Sequence, residues 1–124
     1  AECIARRERT NTPLQALLLL NEKEYMKAAR TLAFTTLLKT GLSPQEKLEL
    51  IYETITSKIP DRDELETLGD LMIDLATYYD QHPNLVELIC QGLDIKDPKF
   101  KLELCYWTMA VSSIYNLDIV KTRE

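Results

Sequence analysis

Residues 98–115 read PKFKLELCYWTMAVSSIY, and most of the fold can be inferred from this stretch. Asp97 supplies a helix N-cap, and Pro98 stands at the first helical position, where its missing N–H costs nothing. Apolar side chains then occur on nearly every side of the helix. Because a helix that is apolar all round is buried, we expect residues 98–115 to form the long central element, with Trp107 inside the core.

The rest of the chain repeats the chemistry of helix starts. A capping residue followed three positions later by Glu or Gln is the signature of a capping box, and it recurs at Thr12, Asn21, Ser43 and Asp61. Predicted helices therefore begin at Pro13, Glu22, Pro44 and just after Asp61, and a short one covers residues 84–91. The predicted helix ends are Gly41, Pro60, His82-Pro83 and Gly92. The first two helices could also form one kinked helix.

No segment alternates apolar and polar residues with the period of a strand. The sequence therefore predicts an all-α fold, a compact bundle of five or six helices with the last long helix central. Its 124 residues suit one domain. We divide it into a non-helical lead-in with an arginine cluster, residues 1–12, and one helical domain, residues 13–124. The chain opens with Ala1 and has no signal-peptide pattern, so we expect it to be a fragment of a larger protein.

Acidic residues dominate residues 44–80, which hold ten Asp and Glu against three Lys and Arg. Such a surface repels a polyanion, so we expect no nucleic-acid partner. The acidic face from Asp61 to Asp74 is interpreted as a solvated helix face, with a docking face for a cationic partner as the alternative. The longest apolar run, Ala16–Leu20, is too short for a membrane span.

Few residues suggest catalysis or metal binding. His82 is the single histidine, no Cys pair has metal-site spacing, and no phosphate-binding glycine motif is present. We therefore predict no catalytic, cofactor-binding or metal-binding residue, and expect this fragment by itself not to be an enzyme. Cys90 and Cys105 are expected to be buried free thiols, although an exported protein could form one disulfide of undetermined pairing.

The lead-in is the one segment with clear binding potential. Its forked guanidinium donors and its hydroxyl and amide groups precede a predicted helix N-terminus, which suits a sulfate, phosphate or carboxylate. These candidate residues are Arg6, Arg7, Arg9, Thr10, Asn11 and Thr12. In the alternative interpretation the arginines pair with acids of this or a neighbouring domain, and the threonines only cap the helix.

Two motifs near the chain ends carry a family resemblance. The first is CIARRERTNTPLQAL, residues 3–17, followed by Leu19-Leu20-Asn21 and Ala28-Ala29-Arg30; the second is Trp107–Ala110 with Asn116–Asp118 and Thr122–Glu124. Together they resemble the C-terminal part of a planctomycete-type domain of unknown function, which closes large exported proteins that often carry a cytochrome-c-like module upstream. The chain departs from the family pattern at Glu22-Lys23, Lys58 and Ile119.

The resemblance implies where the protein is located and which domains accompany it, and it implies no reaction. It implies an extracytoplasmic, multidomain protein whose upstream domains include a possible haem c neighbour and which acts on or near polysaccharide. Our leading hypothesis is a non-catalytic C-terminal helical module that packs against and positions those domains. Its end motifs would form a clasp, with Arg9 and Asn11 meeting Asn116 and Asp118. The alternative is an arginine-rich half-site for a sulfated or acidic glycan, shared with upstream domains.

Overall fold

The computed structural model describes the backbone of residues 22–123 and the side chains of residues 23–117. Five helices make up this part of the chain: α1 (Glu22–Leu37), α2 (Pro44–Thr56), α3 (Arg62–Asp80), α4 (Pro83–Ile89) and α5 (Pro98–Arg123). Within residues 22–123 no strand forms, so the predicted all-α bundle is confirmed. The helix predicted from Pro13 and the cap predicted at Asn21 lie outside the described residues.

Helix α5 is the centre of the bundle, as its sequence predicts. It contacts each of the other four helices. Leu104, Cys105 and Val111 are fully buried, and Trp107 is 4% exposed. A helix enclosed on this many sides contributes most of the apolar surface that the fold removes from water, and that burial is the main stabilising term.

Helix α1 runs antiparallel to α5. The ring of Tyr25 lies 5.2 Å from that of Tyr115, and the ring of Phe34 lies 5.9 Å from that of Phe100. The Tyr25 hydroxyl also donates to Ser112 Oγ at 2.7 Å. The beginning of α1 and the last third of α5 therefore lie at the same end of the bundle.

Two of the predicted helix starts are visible as complete capping boxes. Ser43 Oγ accepts from the Glu46 N–H at 3.1 Å, and the Glu46 carboxylate accepts from the Ser43 N–H at 2.8 Å. Asp61 and Glu64 exchange the same pair of bonds at 2.8 and 2.9 Å. Each box satisfies backbone donors that the first helical turn leaves without a partner.

The predicted helix ends are less accurate than the starts. Helix α1 ends at Leu37 rather than at Gly41, although Gly41 does adopt a positive φ of 81°. Helix α2 ends at Thr56 because Ser57 turns left-handed, with φ 64°, before Pro60 is reached. Helix α4 covers Pro83–Ile89 instead of residues 84–91. Helix α5 continues past Tyr115 to Arg123, because no Gly or Pro follows to stop it.

Candidate functional site

An apolar groove of about 410 Å³ lies between α2, α3 and α5, and we call it the Trp107 groove. Buried Leu48 and Trp107 belong to its floor, and half-buried Met72 and Tyr106 line its walls. Ile73, which is 66% exposed, stands at its edge. Pockets of this size that are lined mainly by apolar side chains, with a few polar groups, are typical of ligand-binding sites.

One face of α3, which carries the small residues Gly69 and Ala76, borders this groove. Gly69, Ile73 and Ala76 follow one another at intervals of four and three residues, so they share one face of α3. Apart from its chain neighbours and its own helix backbone, no heavy atom lies within 4 Å of the position that a Cβ on Gly69 would occupy. The absence of a side chain at residue 69 therefore leaves open volume beside Tyr106 and Trp107.

The rim of the Trp107 groove carries one base and one acid. Lys47 Nζ donates to the Leu37 carbonyl at 3.0 Å, which ties α2 to the C-terminal end of α1. Burial raises the pKa of the Tyr106 hydroxyl, and the neighbouring Glu103 carboxylate raises it further. Tyr106 thus remains a neutral hydrogen-bonding group at physiological pH. The groove therefore combines apolar walls with few polar groups that could select between ligands.

A second groove, of about 280 Å³, lies between the end of α2, the beginning of α3 and the last third of α5. We call it the Leu117 groove. Leu68 and Ile114 are its buried apolar residues, whereas Leu117 is 53% exposed. Its rim is acidic, with Asp63 and Glu64, and Glu64 Oε2 accepts a hydrogen bond from the Tyr52 hydroxyl at 2.8 Å.

The structure tests only part of the predicted site. Arg6, Arg7, Arg9, Thr10, Asn11 and Thr12 lie outside the described residues, so both interpretations of the arginine cluster stay predictions. Asn116 is exposed on α5, and Asp118 lies two residues further along the same helix. Both positions are therefore helical and lie at the end of the bundle where α1 begins.

The acidic face is solvated in the described part of the chain. Asp63, Glu66, Asp70 and Asp74 recur at intervals of three and four residues along α3, and all four are exposed. This agrees with the interpretation of a solvated helix face. The alternative of a docking face for a cationic partner stays a prediction.

His82 has a local structural role. It lies in the turn between α3 and α4, where its Nδ1 hydrogen-bonds the Tyr78 carbonyl at 2.7 Å. Its ring stacks on that of Tyr78, with the ring centres 4.1 Å apart. Tyr78 is itself exposed on this outer turn.

Cys90 and Cys105 are buried free thiols, as predicted. Burial raises the pKa of Cys105 to about 12, and the nearby Cys90 adds to this effect. Burial also raises the pKa of Cys90, whose Sγ donates a weak bond to the Lys101 carbonyl at 3.5 Å. Because the thiolate is the reactive form, both side chains behave as small apolar groups at neutral pH.

Among the described side chains, no group of three or more His, Cys, Asp or Glu residues is placed to hold a metal ion. Of the five helices α1–α5, none combines the length and the apolar character needed to cross a bilayer.

Sequence reasoning missed both grooves, although signals of the Trp107 groove are present. Gly69 lies inside a strongly periodic helix, where glycine is unfavourable unless something requires it. Ile73 is a large apolar residue that lies off the face of the same helix formed by Leu68, Leu71 and Leu75. An unexplained glycine one turn from an unexplained isoleucine indicates an open apolar surface.

The chain was also compared with known proteins. A family model described as PSD1, a protein of unknown function (DUF1553), matches residues 1–72, which is more than half of the 124 residues. Searches of curated proteins and of solved structures found no match. On the extent of the family match, the chain belongs to the DUF1553 (PSD1) family of proteins of unknown function.

Proposed function

We propose that the chain is a non-catalytic helical module that packs against the upstream domains of a larger extracytoplasmic protein and holds them in position. The observation that carries the proposal is the Trp107 groove. The described helices already enclose a core around α5, yet Ile73 is left 66% exposed beside an apolar groove of about 410 Å³. Apolar surface of this kind is typical of an interaction site.

The location and the partner domains proposed for the module are inferred from the family resemblance of its two end motifs. It favours an exported protein with polysaccharide nearby and a haem c domain among the upstream partners. Haem would belong to that neighbour, since the role proposed for this chain is packing. The arginine-rich half-site for a sulfated or acidic glycan is the rival function, and it predicts ligand binding by residues 6–12 rather than docking at Ile73.

Gly69→Met in the full-length parent protein tests the docking role. Open space surrounds the missing Cβ of Gly69, so the new side chain should occupy the groove without disturbing the core. Methionine also suits a helix interior better than glycine. We expect the variant to keep its helical circular dichroism spectrum. Limited proteolysis at the boundary with the upstream domain should become at least tenfold faster than in the wild type, because that boundary is less protected.

Asp70→Met is the matched control, because it places the same side chain at the next position of α3, which is exposed and does not line the groove. It should leave the proteolysis rate unchanged. Equal protection in the Gly69→Met variant and the wild type would overturn the docking role. Loss of glycan binding on deletion of residues 1–12, with domain packing intact, would favour the half-site instead.

A further inference from the structure

We propose that the Leu117 groove binds the chain's own N-terminal segment, residues 1–21. In this arrangement the apolar residues 16–20 cover the exposed side chain of Leu117, and the arginines of residues 6–9 lie beside the acidic start of α3. The inference concerns contacts within one chain, so it does not depend on any upstream domain.

Position in the fold is the first argument. Tyr25 contacts Ser112 and Tyr115, so the beginning of α1, to which this segment is joined, lies beside the last third of α5. Ile114 and Leu117 line the groove from that same part of α5. An eight-residue helix spans about 12 Å and extended chain about 3.3 Å per residue, so 21 residues reach the groove easily.

Apolar matching is the second argument. The segment contains Ala16–Leu20, the longest uninterrupted apolar run of the chain. The groove provides apolar surface of its own, including Leu117 with 53% of its surface exposed. Covering both surfaces together removes them from water, which is favourable in proportion to the area buried.

Charge distinguishes the Leu117 groove from the Trp107 groove. Residues 61–66 hold four acids and one arginine, whereas residues 1–12 carry three arginines and two acids. The Leu117 groove therefore presents negative charge to a net positive segment. The Trp107 groove has one Lys and one Glu at its rim and so offers no such preference.

Site-directed cross-linking in the intact 124-residue chain tests the proposal. One cysteine replaces Gln15 in a Cys3→Ser background, and a second replaces either Thr67, at the Leu117 groove, or Thr77, ten residues further along α3. Both threonines are exposed, so they are matched positions on one helix. The buried, protonated Cys90 and Cys105 contribute little background.

A short bis-maleimide should join residues 15 and 67 at least tenfold faster than residues 15 and 77. Reversing Arg6, Arg7 and Arg9 to Glu should slow the reaction at residue 67 severalfold and leave residue 77 unchanged. Equal rates at the two positions, or faster reaction at residue 77, would overturn the proposal. Either result leaves the docking role of the Trp107 groove standing, because the Gly69→Met variant tests that groove separately.

Discussion

The thiol of Cys105 is unreactive at neutral pH because of its position in the core. Its side chain is fully buried, and burial raises its pKa to about 12 from the ordinary 9.0. At pH 8 its thiolate fraction should therefore be roughly a thousandfold lower than in the unfolded chain. We expect iodoacetamide to label Cys105 at least a hundredfold more slowly in the native protein than in urea, measured by peptide mass spectrometry. Similar rates in both states would contradict this account of burial.

Ser57 is strained by the turn that it makes. Its φ of 64° lies in the left-handed region, which non-glycine residues adopt at a cost of roughly 1 kcal/mol, and its side chain is exposed. Ser57→Gly should therefore raise the free energy of unfolding by about 1 kcal/mol in urea titrations.

Ser43→Gly is the matched control for this prediction. It should act in the opposite direction, by a few tenths of a kcal/mol, because Ser43 Oγ accepts from the Glu46 N–H. A loss of stability in the Ser57→Gly variant would show that the left-handed turn is not strained.

At the scale of elements, Arg30 joins α1 to the end of α4. Its Nη1 donates to the carbonyls of Ile89 and Gln91 at 3.0 Å each. These carbonyls follow the last helical bonds of α4 and would otherwise lack a partner in the helix. This contact gives a structural reason for the Ala28-Ala29-Arg30 motif, because Ala29 is buried against the core while Arg30 reaches across to α4.

Arg30→Ala should lower the free energy of unfolding by about 1–2 kcal/mol. It should also speed amide hydrogen exchange in residues 88–91 before it affects α2 or α3. Lys27→Ala, at an exposed position one turn earlier on α1, should change neither quantity. Unaltered exchange in residues 88–91 of the Arg30→Ala variant would mean that α4 does not depend on this contact.

Helix starts were predicted more accurately than helix ends, for a physical reason. A capping box such as Asp61 with Glu64 is satisfied by residues three positions apart, so the local sequence contains the whole interaction. The end of α2 depends on Ser57 accepting a left-handed conformation, which serine rarely adopts. Nothing in the local sequence favours that turn over continuation to Pro60.

At the scale of the whole molecule, the core could be predicted from local sequence, whereas the grooves could not. The burial of Trp107 and Val111 follows from a helix that is apolar all round, so the centre of the bundle could be inferred. The Trp107 groove depends on how α3 is set against α2 and α5. That packing arises from contacts distant in sequence, and the sequence of α3 by itself offers no more than the signals at Gly69 and Ile73.

Buried Cys and Tyr side chains with raised pKa values make the stability of the fold depend on pH in the alkaline range. Burial raises the pKa of Cys105 and of Tyr115 to about 12, and Tyr25 adds to the effect at Tyr115. Folding therefore favours the protonated forms. The resulting stability is complete below the ordinary values of 9.0 and 10.0 and is lost as pH rises toward 12.

We expect the melting temperature to fall between pH 9 and pH 12 and the fall to be shallower in Cys105→Ala and in Tyr115→Phe. Thermal melts followed by circular dichroism at half-unit pH steps would measure this. Identical slopes in the wild type and in both variants would show that these groups do not govern alkaline unfolding.

Trp107 belongs to both the core and the floor of the groove that bears its name, and it is the chain's single tryptophan. Its indole is therefore a built-in fluorophore at the proposed docking surface, with no competing emitter of the same kind in the chain. Occupancy of that surface would register as a change in emission wavelength or quenching, so binding can be followed in unlabelled protein.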